Sequence, residues 1–252
     1  MILDDIVRAT RERLESLDTL PEIDPGAPPH RSLEAAIRAC RERRAIIAEV
    51  KYASPLRGRI HDGCAPETIA REFAAAGAVG LSVLTEPAYF FGSIENLVRV
   101  RRAVTVPILR KDFIVDERQL AETRALGADA VLLIARVLGD RLPAFVDGAH
   151  ALGLEALVEV HDRSEMERAL ATDARLIGIN NRDLETMRID LSTTFRLAEA
   201  ARDAGRIVVS ESGITWPYDV RSLGRHCDAF LIGSALMSAK DRCKRLEGFV
   251  FA

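Results

Sequence analysis

Two lysines and one glutamate are the residues in this sequence best suited to transfer protons. Lys51, Lys111 and Glu159 each lie within two residues of the end of a short apolar run. An ammonium group and a carboxylate that face each other in a partly dry site can act as acid and base. Glu49, two residues before Lys51, would favour the charged form of that lysine. The spacing is equally consistent with a structural ring of ion pairs, because such networks also perturb pKa values.

Two glycine-containing turns in the last quarter of the chain could bind a phosphate group. Ser212 and Gly213 follow one apolar run, and Gly233 and Ser234 follow the next. Glycines expose backbone N–H groups, and the start of a helix favours an anion. Ser54, which follows the first apolar run of the repeating part, could add a hydroxyl. The alternative is that these residues form ordinary turns and a helix cap.

Aromatic residues are scarce, at 5% of the chain, so a local group of them is informative. Phe90, Phe91 and Phe113 follow the second and third apolar runs and could line a slot for a substrate that carries a ring. Core packing is the default interpretation for any one of them. Trp216 precedes Pro217, which is more typical of a helix start than of a ligand contact.

Composition excludes several classes of protein. The chain has 252 residues, 48% of them hydrophobic and 29% charged, which is typical of a soluble domain with an aliphatic core. Its net charge of −3 gives no global attraction to nucleic acid or to an anionic membrane. Acids stand where a signal peptide would carry bases, and the longest apolar run, 130–135, cannot span a bilayer. We therefore expect a cytoplasmic protein.

The cysteines and histidines do not predict a metal site. Four cysteines are scattered without a C-x-x-C motif, and five histidines show no metal-ligand spacing. This pattern fits reduced thiols better than a disulfide framework or a zinc site. We expect neither a metal nor another cofactor.

From residue 45 onward the sequence repeats one unit, in which a helical pattern and a small turn precede an apolar run. Eight runs occur, at residues 46–50, 79–84, 106–109, 130–134, 156–160, 176–179, 207–209 and 230–232. Short strands separated by helices indicate parallel pairing, since each crossover must carry a helix back over the sheet. The pattern predicts an α/β protein with a closed (β/α)8 TIM barrel over residues 45–252. An open doubly wound sheet is less favoured, because no G-x-G-x-x-G motif follows the first run.

Residues 1–44 precede the repeats and predict an N-terminal helical extension of the same structural domain. Apolar residues at helical spacing predict a first helix over residues 2–17. The proline-rich segment 21–29 predicts an exposed connector, and Ser32 can cap a second helix that runs to about Arg43.

In a TIM barrel the carboxyl ends of the strands surround one bowl, which holds the active site. The predicted strand ends are rich in polar residues, so several of these side chains should point into that bowl. They comprise Glu49 and Lys51; Thr85 and Glu86; Arg110, Lys111 and Asp112; Arg136; Glu159; Asn180, Asn181 and Arg182; Ser210, Glu211 and Ser212; and Gly233 and Ser234.

At these positions the chain resembles the indole-3-glycerol phosphate synthase family of tryptophan biosynthesis. The resemblance runs from about residue 45 to residue 237, and its six motifs occur in order at different strand ends. They are Glu-x-Lys-x-x-Ser-Pro at 49–55, Leu-Arg-Lys-Asp-Phe at 109–113, Glu159, Gly-Ile-Asn-x-Arg-Asp-Leu at 178–184, Ser-Glu-Ser-Gly-Ile at 210–214 and Leu-Ile-Gly-Ser at 231–234.

The resemblance implies a carboxy-lyase that closes the indole ring of 1-(2-carboxyphenylamino)-1-deoxyribulose 5-phosphate with loss of carbon dioxide and water. It implies that Lys111 is the general acid, that Lys51 holds the substrate carboxylate and could also donate a proton, and that Glu159 is the acid or base for dehydration. Glu49, Asn180 and Glu211 would orient these groups. The substrate-binding residues would be Ser54, Phe90, Phe113, Leu132, Arg182, Ser212, Gly213, Gly233 and Ser234.

The resemblance also implies that the leading helices cover part of the barrel mouth. The expected partner is a small phosphorylated molecule, bound by a monomer, with no role for nucleic acid or a membrane. Leu56 and Arg57 depart from the family pattern, which often has Ser and Lys there, so loop closure or phosphate affinity could differ.

Two alternatives stay open from the sequence. A phosphoribosylanthranilate isomerase would need a Cys and Asp pair at strand ends, but lysine and glutamate occupy those positions. A barrel that only binds a ligand or partner would be expected to have lost a proton-transfer residue, and none is missing here.

Overall fold

The computed structural model describes residues 2–15, 30–54, 58–60 and 63–252, and within them eight parallel strands form a closed barrel. Each strand pairs with its neighbours in the chain, and the last pairs with the first. The predicted (β/α)8 barrel is therefore confirmed. The strands are β1 Ala45–Val50, β2 Gly80–Leu84, β3 Ile108–Lys111, β4 Ala130–Ile134, β5 Glu155–Val160, β6 Leu176–Asn180, β7 Ile207–Glu211 and β8 Ala229–Ile232.

Helices surround the barrel and alternate with its strands. They are α1 Ile2–Glu15, α2 Leu33–Ala39, α3 Pro66–Ala75, α4 Pro87–Phe90, α5 Ile94–Ala103, α6 Arg118–Ala125, α7 Ala135–Leu138, α8 Leu142–Ala151, α9 Arg163–Leu170, α10 Ser192–Asp203, α11 Pro217–Leu223, α12 Ser234–Met237 and α13 Arg242–Val250. A 3-10 turn, Gly139–Arg141, joins α7 to α8. After β1, two short antiparallel strands of two residues each, Ala53–Ser54 and Gly58–Arg59, pair with each other.

Three strands extend beyond the apolar runs that predicted them. β3 begins at Ile108 rather than Val106 and extends to Lys111, while β6 and β7 extend to Asn180 and Glu211. Pro107 has no N–H to donate to the ladder, which delays the start of β3. The polar residues continue the strands because their backbones still pair with a neighbouring strand, so three candidate site residues belong to the rigid barrel.

Alternation along each strand divides the core into two layers. Residues such as Ile46, Leu81 and Val131 face outward and pack with the helices. Residues such as Ile47 and Leu132 belong to a second cluster that fills the barrel interior. Because successive side chains of a strand point to opposite faces, every second residue of each strand points into the barrel.

The two leading helices lie at opposite ends of the barrel. In α1, Leu3 and Ile6 line the cavity at the carboxyl ends of the strands. At the N-terminus of α2, the backbone N–H of Leu33 donates to Glu155 Oε2 over 2.8 Å, and Glu155 is the first residue of β5. Only α1 therefore covers the mouth, and α2 closes the bottom, so the expectation that both helices cover the mouth is wrong for α2.

Helix α2 ends at Ala39 rather than near Arg43, which corrects the predicted length. Ser32 caps its start as expected, with Oγ accepting from the Ala35 N–H over 2.9 Å. Cys40 leaves the helical conformation, and the backbone of Arg44 already donates to Val250 O at 2.9 Å on the way into β1. Residues 16–17 of the predicted first helix, and the predicted connector 21–29, lie outside the described residues.

Three general features complete the fold. No helix within the described ranges is long and apolar enough to cross a membrane. Cys40, Cys64, Cys227 and Cys243 are unpaired. In the described part of the chain, no group of three or more His, Cys, Asp or Glu side chains is arranged to hold a metal ion.

Candidate active site

A cavity of about 560 Å³ lies at the carboxyl ends of the strands. This volume falls in the range of small-molecule sites. Its walls include nearly all of the predicted site residues. These are Glu49, Lys51, Phe90, Lys111, Phe113, Leu132, Glu159, Asn180, Arg182, Glu211, Ser212, Gly213, Gly233 and Ser234.

The charged residues of the cavity continue the inward-facing series of their strands. Glu49 follows Ile47 by two residues, Lys111 follows Leu109, and Glu211 follows Val209, each preceding residue belonging to the interior cluster. The side-chain period of a strand is two, so a polar residue two positions beyond an interior apolar residue must also point inward. The barrel therefore presents these charges to one space by its geometry alone.

Lys111 stands between two buried carboxylates. Its Nζ lies 2.8 Å from Glu159 Oε2 and 3.3 Å from Glu211 Oε2. Burial alone would lower the pKa of Lys111, but the charges of Glu159, Glu211 and Glu49 outweigh burial and raise that pKa above its ordinary value. Lys111 therefore carries its proton throughout the neutral range and is available to donate it.

The two carboxylates beside Lys111 have opposite pKa shifts. Burial tends to raise the pKa of Glu159, but Lys111 and His161 lower it well below its ordinary value. Burial raises the pKa of Glu211, and the nearby Glu159 and Glu49 charges add to the rise, against the opposing effect of Lys111. Two neighbouring carboxylates with separated pKa values are the usual arrangement of a proton acceptor and a proton donor.

Gly178 makes room for Glu211. A Cβ added at Gly178, on β6, would lie only 2.1 Å from Glu211 Oε1. That oxygen is buried and has no hydrogen-bond partner among the described residues. A buried polar atom without a partner costs free energy, so Glu211 is held here at a cost in stability.

The second lysine forms a separate ion pair on β1. Lys51 Nζ lies 2.6 Å from Glu49 Oε1. A Cβ at Gly233 would lie 2.2 Å from the same Glu49 oxygen, so the first residue after β8 must be small for this pair to form.

Of the two adjacent asparagines, only Asn180 lines the cavity. Its Oδ1 accepts from the Arg182 N–H over 3.0 Å, and its side chain hydrogen-bonds to Glu159. Asn181 instead points between β6 and β7, where its Nδ2 donates to Glu211 O over 2.9 Å and its Oδ1 accepts from Thr194. Alternation along β6 explains the difference, because Asn180 is in phase with the interior residue Leu176.

Apolar side chains form part of the cavity wall. Phe90 and Phe113 lie with ring centroids 6.2 Å apart, and Leu132 completes the barrel side of the wall. Leu3 and Ile6 of α1 also line the cavity. Phe91, in contrast, has a left-handed backbone, is 46% exposed and packs under the Arg59 guanidinium, so it is not grouped with the other two rings.

The glycine turns form the other end of the cavity. Ser212 and Gly213 both have positive φ, and Gly213 touches the loop after β6, where an added Cβ would lie 2.3 Å from Ile189 Cγ2. Gly233 is the N-cap of α12, and Ser234 is its first residue. The side chain of Ser54 and the whole of residues 55–57 lie outside the described part of the chain.

Some polar strand ends turn away from the cavity. Arg110 is fully buried behind β3, where it bonds Thr85 and Thr123 and pairs with Asp112 and Glu122. Arg110, Thr85, Thr123 and Glu122 do not line the cavity, whereas Asp112 does. These residues fix the start of the segment after Lys111, because Asp112 also accepts from the Phe113 N–H over 2.9 Å.

The sequence interpretation also missed residues that line the cavity. Trp216 is the N-cap of α11, as predicted, but it also lines the cavity, with the Arg245 guanidinium 4.6 Å from its ring centroid. Met187 and Ile189 reach the cavity from the loop after β6. No local pattern marks these residues, since loop and helix positions carry no inward or outward period.

Comparison with known proteins identifies the family. A family model described as indole-3-glycerol phosphate synthase matches residues 3–249. The indole-3-glycerol phosphate synthase of Carboxydothermus hydrogenoformans is 48% identical over 80% of this chain and 77% of that protein. The one from Burkholderia cenocepacia is 42% identical over 99% of both, and the one from Deinococcus radiodurans is 47% identical over 84% of this chain and 82% of that protein.

A solved structure shows the same fold at low sequence identity. Thiamine phosphate pyrophosphorylase from Pyrococcus furiosus superposes with a TM-score of 0.59 at 17% identity, over 84% of this chain and 95% of that one. This likeness concerns the fold alone. The family match and the full-length relatives carry the assignment, and the chain belongs to the indole-3-glycerol phosphate synthase family.

Proposed function

We propose that this chain is a carboxy-lyase that converts 1-(2-carboxyphenylamino)-1-deoxyribulose 5-phosphate to indole-3-glycerol phosphate, carbon dioxide and water. The observation that carries the proposal is the position of Lys111 between Glu159 and Glu211, in a cavity with an apolar wall and glycine turns. Membership of the family supports the choice of substrate. The reaction belongs to tryptophan biosynthesis.

Ring closure begins with the attack of the aromatic carbon on the ribulose carbonyl carbon. Lys111 is proposed to donate a proton to the carbonyl oxygen as the new carbon–carbon bond forms, because its ammonium stays charged at neutral pH. Lys51 is proposed to hold the substrate carboxylate until the carboxylate leaves as carbon dioxide and the ring regains its aromaticity. Lys51 lines the cavity with 13% of its side chain exposed, so a carboxylate can reach its Nζ while Glu49 keeps it in position.

Dehydration needs one acid and one base. Glu159 is proposed as the base that takes a proton from the new ring, because its lowered pKa keeps it ionised, and Lys51 as the acid whose proton leaves with the hydroxyl as water. Glu211, which lines the cavity and has a raised pKa, is proposed to hydrogen-bond a ribulose hydroxyl. Asn180 is proposed to orient Glu159, to which it hydrogen-bonds. Glu49 is proposed to orient Lys51, with which it forms an ion pair.

The two ends of the cavity suit the two ends of this substrate. Phe90, Phe113 and Leu132 are proposed to pack the anthranilate ring. The phosphate is proposed to bind at the opposite end, to Ser54, Arg182, Ser212, Gly213, Gly233 and Ser234. Fixing both ends of a flexible molecule holds its reacting atoms close together, which can supply roughly 7–11 kcal/mol of a barrier.

We further propose that residues 1–44 and 45–252 form one structural domain, with α1 as the roof of the site. Leu3 and Ile6 line the cavity, and Arg13 of α1 reaches within 3.7 Å of Asp112, the neighbour of Lys111. The same proposal holds that the enzyme is a cytoplasmic monomer. Its reaction would need only proton transfer, without a metal or a nucleotide.

The test is to mix the purified chain with 1-(2-carboxyphenylamino)-1-deoxyribulose 5-phosphate in the presence of a chelator and to follow indole fluorescence. Turnover without added metal or nucleotide is expected. No fluorescence at high enzyme concentration, with a folded protein, would exclude the synthase activity. Turnover of phosphoribosylanthranilate instead would identify the isomerase.

A further inference from the structure

A histidine lies behind the proposed base. His161 follows Glu159 by two residues at the end of β5, and only 4% of its side chain is exposed. Its Nε2 lies 3.4 Å from Glu159 Oε1, while Lys111 occupies the other oxygen of the same carboxylate at 2.8 Å. Glu159 is therefore placed between two cationic or potentially cationic groups, one from the cavity and one from behind.

Glu165 on α9 fixes the imidazole. Its Oε2 lies 2.9 Å from His161 Nδ1 and also accepts from the His161 backbone N–H over 2.8 Å. Its Oε1 accepts from Arg136 Nε over 2.6 Å. Asp162 caps the helix that carries Glu165, with Oδ1 accepting from the Glu165 N–H over 2.9 Å. A chain of polar contacts thus runs from Arg136 through Glu165 and His161 to Glu159.

The charges around His161 favour its protonated form. Burial lowers the pKa of the imidazole, but the Glu165 hydrogen bond and the charges of Glu159 and Glu165 outweigh burial and the Arg136 charge, so the pKa lies above its ordinary value. Glu159 lies on β5, Glu165 on α9 and Arg136 on α7. Lys111 contacts the other oxygen of Glu159, and Glu211 contacts Lys111. A protonated imidazole has two N–H donors. Nδ1 hydrogen-bonds to Glu165, whereas Nε2 makes no hydrogen bond and interacts with Glu159 Oε1 by charge, at 3.4 Å.

From this geometry we infer that His161 is a positioning residue that holds Glu159 in a fixed orientation and keeps it ionised against Lys111. The inference rests on the proposed role of Glu159 as the base. Without the imidazolium, Glu159 would lose one of its two cationic neighbours, its pKa would rise, and its carboxylate would keep its contacts with Lys111 and Asn180 but lose a third group that fixes its orientation.

Two substitutions separate the two ring nitrogens. His161→Asn keeps a donor near the Nδ1 position, toward Glu165, but cannot reach Glu159. His161→Gln places a neutral donor near the Nε2 position, toward Glu159. His161→Asn is expected to lower kcat by roughly 10- to 100-fold with little change in KM, and to move the acidic limb of the kcat–pH profile to higher pH. His161→Gln is expected to recover much of kcat, and the exposed His150→Asn is the matched control.

Two further measurements keep the inference testable. Glu159→Gln, assayed in parallel, should be far slower than either variant; an active Glu159→Gln would refute the role of Glu159 and, with it, this inference. Should Glu159→Gln be inactive while His161→Asn keeps the wild-type kcat and pH profile, only the role of His161 is overturned. If His161→Asn does not fold, NMR titration of the wild-type imidazole decides, because a ring singly protonated at neutral pH contradicts the inference and a doubly protonated ring supports it.

Discussion

Gly178→Ala is a small change that should remove the geometry of the charge cluster. The added Cβ would lie 2.1 Å from Glu211 Oε1 and 3.2 Å from Glu211 Cδ. Gly178 lies on β6, between two hydrogen-bonded neighbours of the barrel, so the backbone cannot move away. The Glu211 carboxylate must therefore move instead.

The size of the effect follows from these distances. To restore a normal contact, the Glu211 oxygen has to move by at least about 1 Å. Its partner oxygen is already 3.3 Å from Lys111 Nζ, so a shift of this size breaks the contact. A displacement of about 1 Å in a catalytic group can lower kcat roughly 100-fold, which is about 2.7 kcal/mol on the barrier. Overpacking should also lower the free energy of unfolding by about 1–3 kcal/mol.

The assay is kcat from indole fluorescence at a temperature where circular dichroism shows the variant folded. Gly153→Ala is the matched control, because Gly153 has φ +71° and no described atom within 4 Å of an added Cβ. A left-handed alanine costs about 1–2 kcal/mol of stability, but it lies far from the chemistry and should leave kcat unchanged. A wild-type kcat for Gly178→Ala would refute the reasoning that the position of Glu211 matters.

Two stability predictions follow from the same structure. The pKa of Glu211 is raised from 4.5 to about 8, so the native state holds a proton that the unfolded chain releases in this range. The free energy of unfolding should therefore fall as pH rises from about 4.5 to about 8, and Glu211→Gln should remove this slope in denaturant titrations. Gly248→Ala, within α13 and 3.7 Å from Pro217 Cγ, should raise the free energy of unfolding by about 0.5–1 kcal/mol in the same titrations, because alanine loses less backbone entropy than glycine.

Each of these two predictions has a clear contrary outcome. Parallel pH dependence of stability in the wild type and Glu211→Gln would mean that Glu211 titrates normally. A Gly248→Ala variant that is less stable than the wild type would mean that the contact with Pro217 is closer than the structure shows. Neither result would bear on the family assignment.

The barrel was predictable from the sequence because its signal is repeated. Each strand is a short apolar run, and some helices begin at residues that favour a helix start, such as Ser32 before α2 and Pro217 at the first position of α11. The boundaries were less predictable, since polar residues such as Lys111 and Glu211 pair in the barrel despite their charge. The position of α2 at the bottom of the barrel depends on a contact with Glu155, more than a hundred residues away, which no local pattern contains.

Some residues of the candidate site could be predicted from the sequence and others could not. The residues on strands share a period of two, so the choice of Asn180 over Asn181, which the resemblance implied, also follows from counting back to Leu176. Gly178 could also have been found, because a glycine in an inward-facing position leaves space for a neighbour. His161, Trp216 and Arg245 could not, since their roles come from packing between elements distant in the chain.

The central claim is that Lys111 donates the proton that closes the ring. Its most direct test is single-turnover fluorescence of Lys111→Ala beside the wild type, with substrate affinity measured separately and the exposed Lys240→Ala as control. Loss of a general acid should slow the chemical step by roughly 10²- to 10⁴-fold while most of the substrate affinity survives. Ring closure at the wild-type rate, or a loss confined to substrate affinity, would contradict the account.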